Sequence, residues 1–135
     1  MNIWVISREY AGIAEAGGVK NVSCSLSESL VRLGHNVTLF IPLYGCTDLS
    51  EVENFSCFWK KPVTLDLPGG SVTVSFAHGI MKGVNIVLVC HKSFSVKRAV
   101  YTYTSEDEEE NPAHRKGHGH EDVNFLNTLF QKAVA

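Results

Sequence analysis

The sequence predicts an α/β fold: a Rossmann-like parallel sheet with flanking helices and an inserted β-hairpin. Three observations carry this. Asn2 to Ser7, Val37 to Ile41 and Val84 to Cys90 are short, nearly continuous apolar runs, as strands covered on both faces require. Between the first two lies a segment with apolar residues at helical spacing, which makes a strand–helix–strand unit with a right-handed crossover. Pro68-Gly69-Gly70 between two alternating runs marks a hairpin.

Each element follows from its residues. Asn2 to Ser7, rich in Ile, Trp and Val, reads as a buried strand. Arg8 to Gly17 is a loop punctuated by Gly12 and Gly17. Gly18 to Leu33 is a helix whose Val19, Val22, Leu26, Leu30 and Leu33 share one face, expected toward the core. Gly34 stands where a left-handed cap is wanted. Pro42 closes the second strand. Phe55 to Trp59 reads as a short aromatic strand. Val63 to Leu67 and Ser71 to Phe76 alternate apolar with polar residues and form the half-exposed hairpin. Tyr101 to Thr104 fits a short strand or a loop. Ser105 to His120 is polar, with acidic residues from Glu106 to Glu110, and reads as a loop of disorder-prone composition. Asp122 to Ala135 is a helix with Val123, Leu126, Phe130 and Val134 on one face. Trp4 and Trp59 read as packing residues rather than sugar platforms.

Composition narrows the function classes. The chain has 135 residues, one domain's worth, with 44% hydrophobic and 19% charged residues and a net charge of -2. That balance points to neither a nucleic-acid nor a membrane-surface protein. No apolar run is long enough to cross a bilayer, and the start lacks the basic residues and apolar length of an export signal. A cytoplasmic protein is expected. Cys24, Cys46, Cys57 and Cys90 contain no Cys-x-x-Cys pair and read as free thiols. His118 and His120 alternate in the polar loop, a spacing open to a transition metal but better read as solvated side chains. Neither a metal, a cofactor nor a Ser/His/Asp or Cys/His nucleophile set is expected.

The sharpest local feature is Glu15-Ala16-Gly17-Gly18-Val19, between the first strand and the first helix. Two glycines there let a ligand approach the backbone, and the helix amino end offers unpaired N–H groups and partial positive charge. The pair fits a phosphate seat. On spacing alone that signal is weak, and a tight turn that needs glycine backbone angles is the better reading.

Four segments together resemble the start of the bacterial and plant glycogen and starch synthases, glycosyltransferase family 5. They are Ser7-Arg8-Glu9-Tyr10, Gly17-Gly18-Val19, Leu30-Val31-Arg32-Leu33-Gly34-His35-Asn36-Val37 and Ile41-Pro42-Leu43-Tyr44-Gly45. The later hairpin, strand, aromatic and basic stretch, and final helix follow in the family's order. The resemblance implies a GT-B type transferase of two facing Rossmann-like domains. Such enzymes move glucose from ADP-glucose to the non-reducing end of an α-1,4-glucan with retention. Residues 1–135 would then be the N-terminal, acceptor-side domain, cut short, with the second Rossmann-like domain missing. Gly17 and Gly18 would lie by the donor phosphates, and Phe94 and Arg98 on the acceptor side.

Departures from the family's pattern limit that expectation. Its Lys-x-Gly-Gly-Leu lysine is Glu15 here, and a carboxylate beside a diphosphate repels it by about 1–4 kcal/mol at partly screened contact distance. Its aspartate near the transferring sugar is Asn21 here, able to hydrogen-bond but uncharged. Lys20 is the candidate replacement for the lost lysine. The tyrosine hydroxyl expected near position 94 is absent in Phe94. The family's His-x-His-Asp-Trp segment and its phosphate clamp are also absent, so no catalytic residue is assigned and the chain alone is expected to be inactive. Its partners by resemblance are ADP-glucose and α-glucan, and the surface that the missing part would cover should drive self-association. The alternatives are a degenerate, non-catalytic homologue that binds glucan or a partner protein, and an unrelated α/β domain.

Overall fold

The computed structural model describes residues 1–57 and 59–135. Strands β1 (Asn2–Ile6), β2 (Asn36–Pro42) and β6 (Val84–Cys90) form a parallel core, flanked by α1 (Val19–Arg32). The register sets Val5 beside Leu39 and Leu39 beside Ile86. Val37, Leu39, Ile41, Ile86, Val87, Leu88 and Val89 are all buried, which accounts for their unbroken apolar runs.

The antiparallel part is larger than the hairpin expected. Strand β4 (Val63–Leu67) pairs with the first half of β5 (Gly70–Met81) around the Pro68-Gly69 turn. The second half of β5 continues into the main sheet and pairs with β6 through a turn at Lys82-Gly83. The main path runs β1-β2-β6-β5 and ends on β3 (Glu53–Ser56). The expected aromatic strand at 55–59 is instead β3 (Glu53–Ser56); Phe58, which that expectation included, lies outside the described residues.

Helix α1 ends as the sequence indicated. Gly34 takes φ 89°, its N–H donates to the Val31 carbonyl, and the His35 N–H donates to the Leu30 carbonyl. That pair of bonds is a Schellman cap. The buried face of α1 is a correction. Ser23 and Ser27 are its buried residues, whereas Val19, Val22, Leu26 and Leu33 are exposed, Val22 by 67%. The small hydroxyl residues let the helix sit close to the sheet, where Ser23 Oγ donates to Ser7 Oγ at 3.0 Å and Ser27 Oγ to the Ser23 carbonyl at 2.8 Å. Trp4 is a second correction: it lies on the edge strand, 59% exposed, against Phe40. Trp59 is also exposed and stacks on His78.

The segment after β6 is ordered by three helices. α2 (Lys92–Ser95) is capped by His91, whose Nδ1 accepts from the Ser93 N–H at 3.1 Å. The acidic run, expected to be loop, forms α3 (Ser105–Glu110). A capping box starts it, with Thr104 and Asp107 reciprocally bonded, and three acidic residues in its first turn suit the positive end of the helix. α4 (Val123–Val134) buries Leu126, Leu129, Phe130 and Val134, as its periodicity indicated. The four cysteines are free thiols.

Candidate functional site

The carboxyl ends of β1 and β2 are where an open α/β sheet seats ligands, and the candidate residues gather there. The Ser7 N–H still donates to Phe40 at 3.1 Å. The chain then leaves the sheet, and Arg8 and Glu9 turn toward different neighbours.

Glu9 is only 1% exposed. Its Oε1 accepts from the backbone N–H groups of Gly17 and of Ala16, the latter at 2.8 Å, and its Oε2 accepts from the Tyr101 hydroxyl at 2.9 Å. Burial pushes its pKa up, but the Gly17 amide, the Tyr101 hydroxyl, the Ala16 amide and the nearby Lys20 more than offset this. The carboxyl is therefore held below the usual glutamate range. Tyr101 moves the other way, to about 12, because burial and the adjacent Glu9 both oppose its ionisation.

Arg8 binds the opposite side. Its guanidinium donates to the Tyr44 hydroxyl at 3.2 Å, Asn127 Oδ1 at 3.2 Å and the Val100 carbonyl at 3.0 Å, and it lies over the Tyr101 ring. Adjacent residues thus fasten a strap, residues 96–104, to both the glycine turn and α4. Gly45 lets the strap come close: a Cβ there would sit 2.5 Å from the Ser95 carbonyl oxygen and 2.8 Å from that of Lys97.

Gly17 and Gly18 are exposed at the amino end of α1. Neither takes a positive φ; Gly18 has φ -80°. The turn therefore does not need glycine for its backbone angles. A Cβ on Gly18 would meet nothing within 4 Å, so that face of the backbone is open. No side chain caps α1, and apart from Asn21, whose N–H turns back to the Gly18 carbonyl, its first amides, those of Gly18, Val19 and Lys20, have no intrahelical partner.

The other residues singled out in the sequence divide between this turn and the protein interior. Glu15 Oε1 accepts from the Gly12 N–H at 3.2 Å, and its Oε2 lies 3.9 Å from Lys20 Nζ. Lys20 is thus paired with Glu15 rather than projecting alone. Asn21 is exposed on the same turn, its N–H donating to the Gly18 carbonyl at 3.2 Å. Arg98 and Glu15 line one cavity of about 230 Å³ with Gly12, Cys46 and Asp48. Arg98 is fixed from α3: it donates to Asp107 at 2.8 Å and to Glu110 at 2.6 Å. Phe94 stands apart, 1% exposed and edge-on to Tyr44, so it offers no face to a ligand.

A second cavity, about 630 Å³, opens on the other side of Arg98, with Lys97, Tyr103, His114 and His120 in its wall. His120 is buried, its Nε2 facing the Ala99 carbonyl at 3.0 Å, and burial lowers its pKa. His118 is exposed, so the two alternate histidines do not converge; no cluster of three metal-ligating side chains occurs among the described residues. Sequence reasoning had not assigned a role to Arg8, Glu9, Tyr101 or Asn127. The available signal was an Arg-Glu pair directly after a parallel strand, where charged residues are in reach of a ligand or of a loop that holds one.

Comparison with known proteins bears on this geometry. The family model described as the starch synthase catalytic domain matches residues 2–134. Soluble starch synthase 3 of Solanum tuberosum is 38% identical over 63 residues, covering 44% of this chain and 5% of that protein. Glycogen synthase 2 of Geobacter sulfurreducens is 25% identical over 112 residues, covering 83% of this chain and 23% of that protein. Among solved structures, the catalytic domain of starch synthase IV from Arabidopsis thaliana, bound to ADP and acarbose, superposes with a TM-score of 0.69 at 20% identity. That match covers 98% of this chain and 24% of the other. The chain thus spans less than a quarter of the length of each of these relatives.

Proposed function

The chain belongs to the starch synthase catalytic-domain family and has the fold of part of a GT-B glycosyltransferase, and from that premise we propose that it is the acceptor-side lobe of an ADP-glucose-dependent α-glucan synthase. One observation carries the reading: an uncapped helix amino end behind an open Gly18, at the carboxyl edge of a parallel sheet. Donor phosphates would approach Gly17 and Gly18, with Lys20 and Asn21 beside them. Arg98, on the strap, would face the acceptor glucan.

Glucosyl transfer with retention needs positive charge aimed at the leaving diphosphate and an enclosed, oriented donor. Near the turn, Lys20 is paired with Glu15, and Arg98 is held by Asp107 and Glu110. The lobe alone therefore transfers no glucose, and the second Rossmann-like domain is its required partner. Cytoplasmic action is part of the reading, supported by a bacterial glycogen synthase relative, although the plant relatives carry chloroplastic/amyloplastic in their names. No helix among the described residues is long and apolar enough to cross a membrane.

The test is a calorimetric titration of ADP-glucose and a maltooligosaccharide into the chain and its Glu15→Lys variant. Restoring the lysine also frees Lys20, so ADP-glucose should bind at least about tenfold tighter, with glucan affinity unchanged. Equal ADP-glucose affinity in the two proteins would sink this placement of the donor. A second reading is favoured by the Glu15–Lys20 pair itself, which neutralises the cation a diphosphate would use. In that reading the protein is a non-catalytic homologue that binds glucan or a partner protein. Glucan binding without any ADP-glucose response in either protein would select it.

A further inference from the structure

We infer that Glu9 is a positioning residue: its buried carboxylate fixes the Gly17–Gly18 turn and ties that turn, through Tyr101, to the strap of residues 96–104. The ligand named for the turn rests on the proposed function, but the tie itself stands on geometry. Three donors from two separate segments meet on one side chain: the Ala16 and Gly17 amides from the loop and the Tyr101 hydroxyl from the strap. A carboxylate that buried is stable only when its lone pairs are satisfied. Releasing any of the three donors therefore weakens the hold on the other segment. Arg8 reinforces the junction, since it stacks on the same Tyr101 ring and binds the Val100 carbonyl.

Two consequences follow. Glu9 uses the Ala16 and Gly17 N–H groups itself, and the Asn21 N–H is taken by the Gly18 carbonyl, so an anion at this turn is left with the amides of Gly18, Val19 and Lys20. The seat is confined to the side where Gly18 has no neighbour. In addition, a ligand that moves the strap also moves the turn, because Tyr101 belongs to one and its acceptor holds the other. The strap carries Arg98, so the acceptor side and the donor side are mechanically linked through Glu9.

Electrostatics alone and positioning predict opposite signs, which makes the inference testable. Removing a negative charge beside an anion site should tighten anion binding. Removing the residue that shapes the site should weaken it. The first measurement needs no ligand. In the ¹⁵N-labelled chain, the Gly17 and Ala16 amide shifts should follow one titration whose midpoint lies below the usual glutamate range, as Glu9 gains its proton. Glu9→Gln should abolish that inflection and speed exchange of both amides by about tenfold. Tyr101→Phe should keep the inflection but move its midpoint upward, because one stabilising hydrogen bond is lost. An inflection that survives Glu9→Gln, or amide exchange unchanged in it, overturns the assignment.

The second measurement uses ADP as the probe. Glu9→Gln should bind it about fivefold more weakly than the unmodified chain. Tighter binding overturns the positioning role. Failure of the unmodified chain to bind ADP counts against the proposed function, and the amide measurement then decides Glu9 by itself.

Discussion

Helices α1 and α4 both read as amphipathic in the sequence, yet they use their apolar residues in opposite ways. α4 buries Leu126, Leu129, Phe130 and Val134 against the sheet. α1 buries two serines and turns Val19, Val22, Leu26 and Leu33 outward. Periodicity reports that a helix has an apolar stripe; it does not report what the stripe packs against. In α4 the stripe serves this sheet. In α1 the sheet is served by the small face, and the stripe is left for something else, in our proposal further parts of the catalytic fold.

Truncating one leucine on each helix should separate the two cases. Leu129→Ala removes a fully buried side chain and should cost about 2–5 kcal/mol in chemical denaturation. Leu26→Ala, half exposed, should cost less than about 1 kcal/mol. Equal losses would mean that the α1 stripe packs within this chain after all.

If the outward stripe of α1 seeks a partner, the isolated chain should self-associate through it. Val22→Lys combined with Leu26→Lys should raise the dissociation constant measured by sedimentation at least about tenfold. The same double variant should leave monomer stability within about 0.5 kcal/mol. Unchanged association, or a chain that is monomeric to begin with, removes the stripe as the contact.

The contrast also shows what was legible in the sequence. The central strands were, because strands buried on both faces must be continuously apolar, and β2 and β6 are; β1, equally apolar and expected to be buried, is instead the half-exposed edge of the sheet, with Trp4 and Ile6 open. The end of α1 was, because only a residue tolerant of positive φ suits position 34. The orientation of α1 was not, since Ser23 and Ser27 carry no apolar signal and matter only through how closely they let the helix approach. α3 was missed for a related reason. Five acidic residues within six positions repel one another, and what offsets this is Arg98, several residues upstream, gripping Asp107 and Glu110. At the candidate site, Gly17, Gly18, Lys20 and Asn21 are local in sequence and were found together. Glu9 and Tyr101 meet across 92 positions, a contact that only the folded chain creates. Phe94 was selected by its place in the chain order and proves to be core, because α2 turns it inward against Tyr44.

The smallest expected effect bears most directly on why the turn carries two glycines. Gly18→Ala places a Cβ where nothing lies within 4 Å, at φ -80°, a value alanine adopts without strain. At a helix amino cap glycine is preferred over alanine by only a modest margin, so the unfolding free energy should fall by no more than about 1 kcal/mol. The same methyl group would stand over the open backbone amides, where an anion has to come within hydrogen-bond distance. ADP binding should therefore weaken while stability hardly changes, a separation that thermal denaturation and calorimetry on one variant can measure. If stability falls instead by 2 kcal/mol or more while ADP affinity is untouched, Gly18 serves the turn and not a ligand, and the search for a partner of α1 moves to its outward apolar stripe.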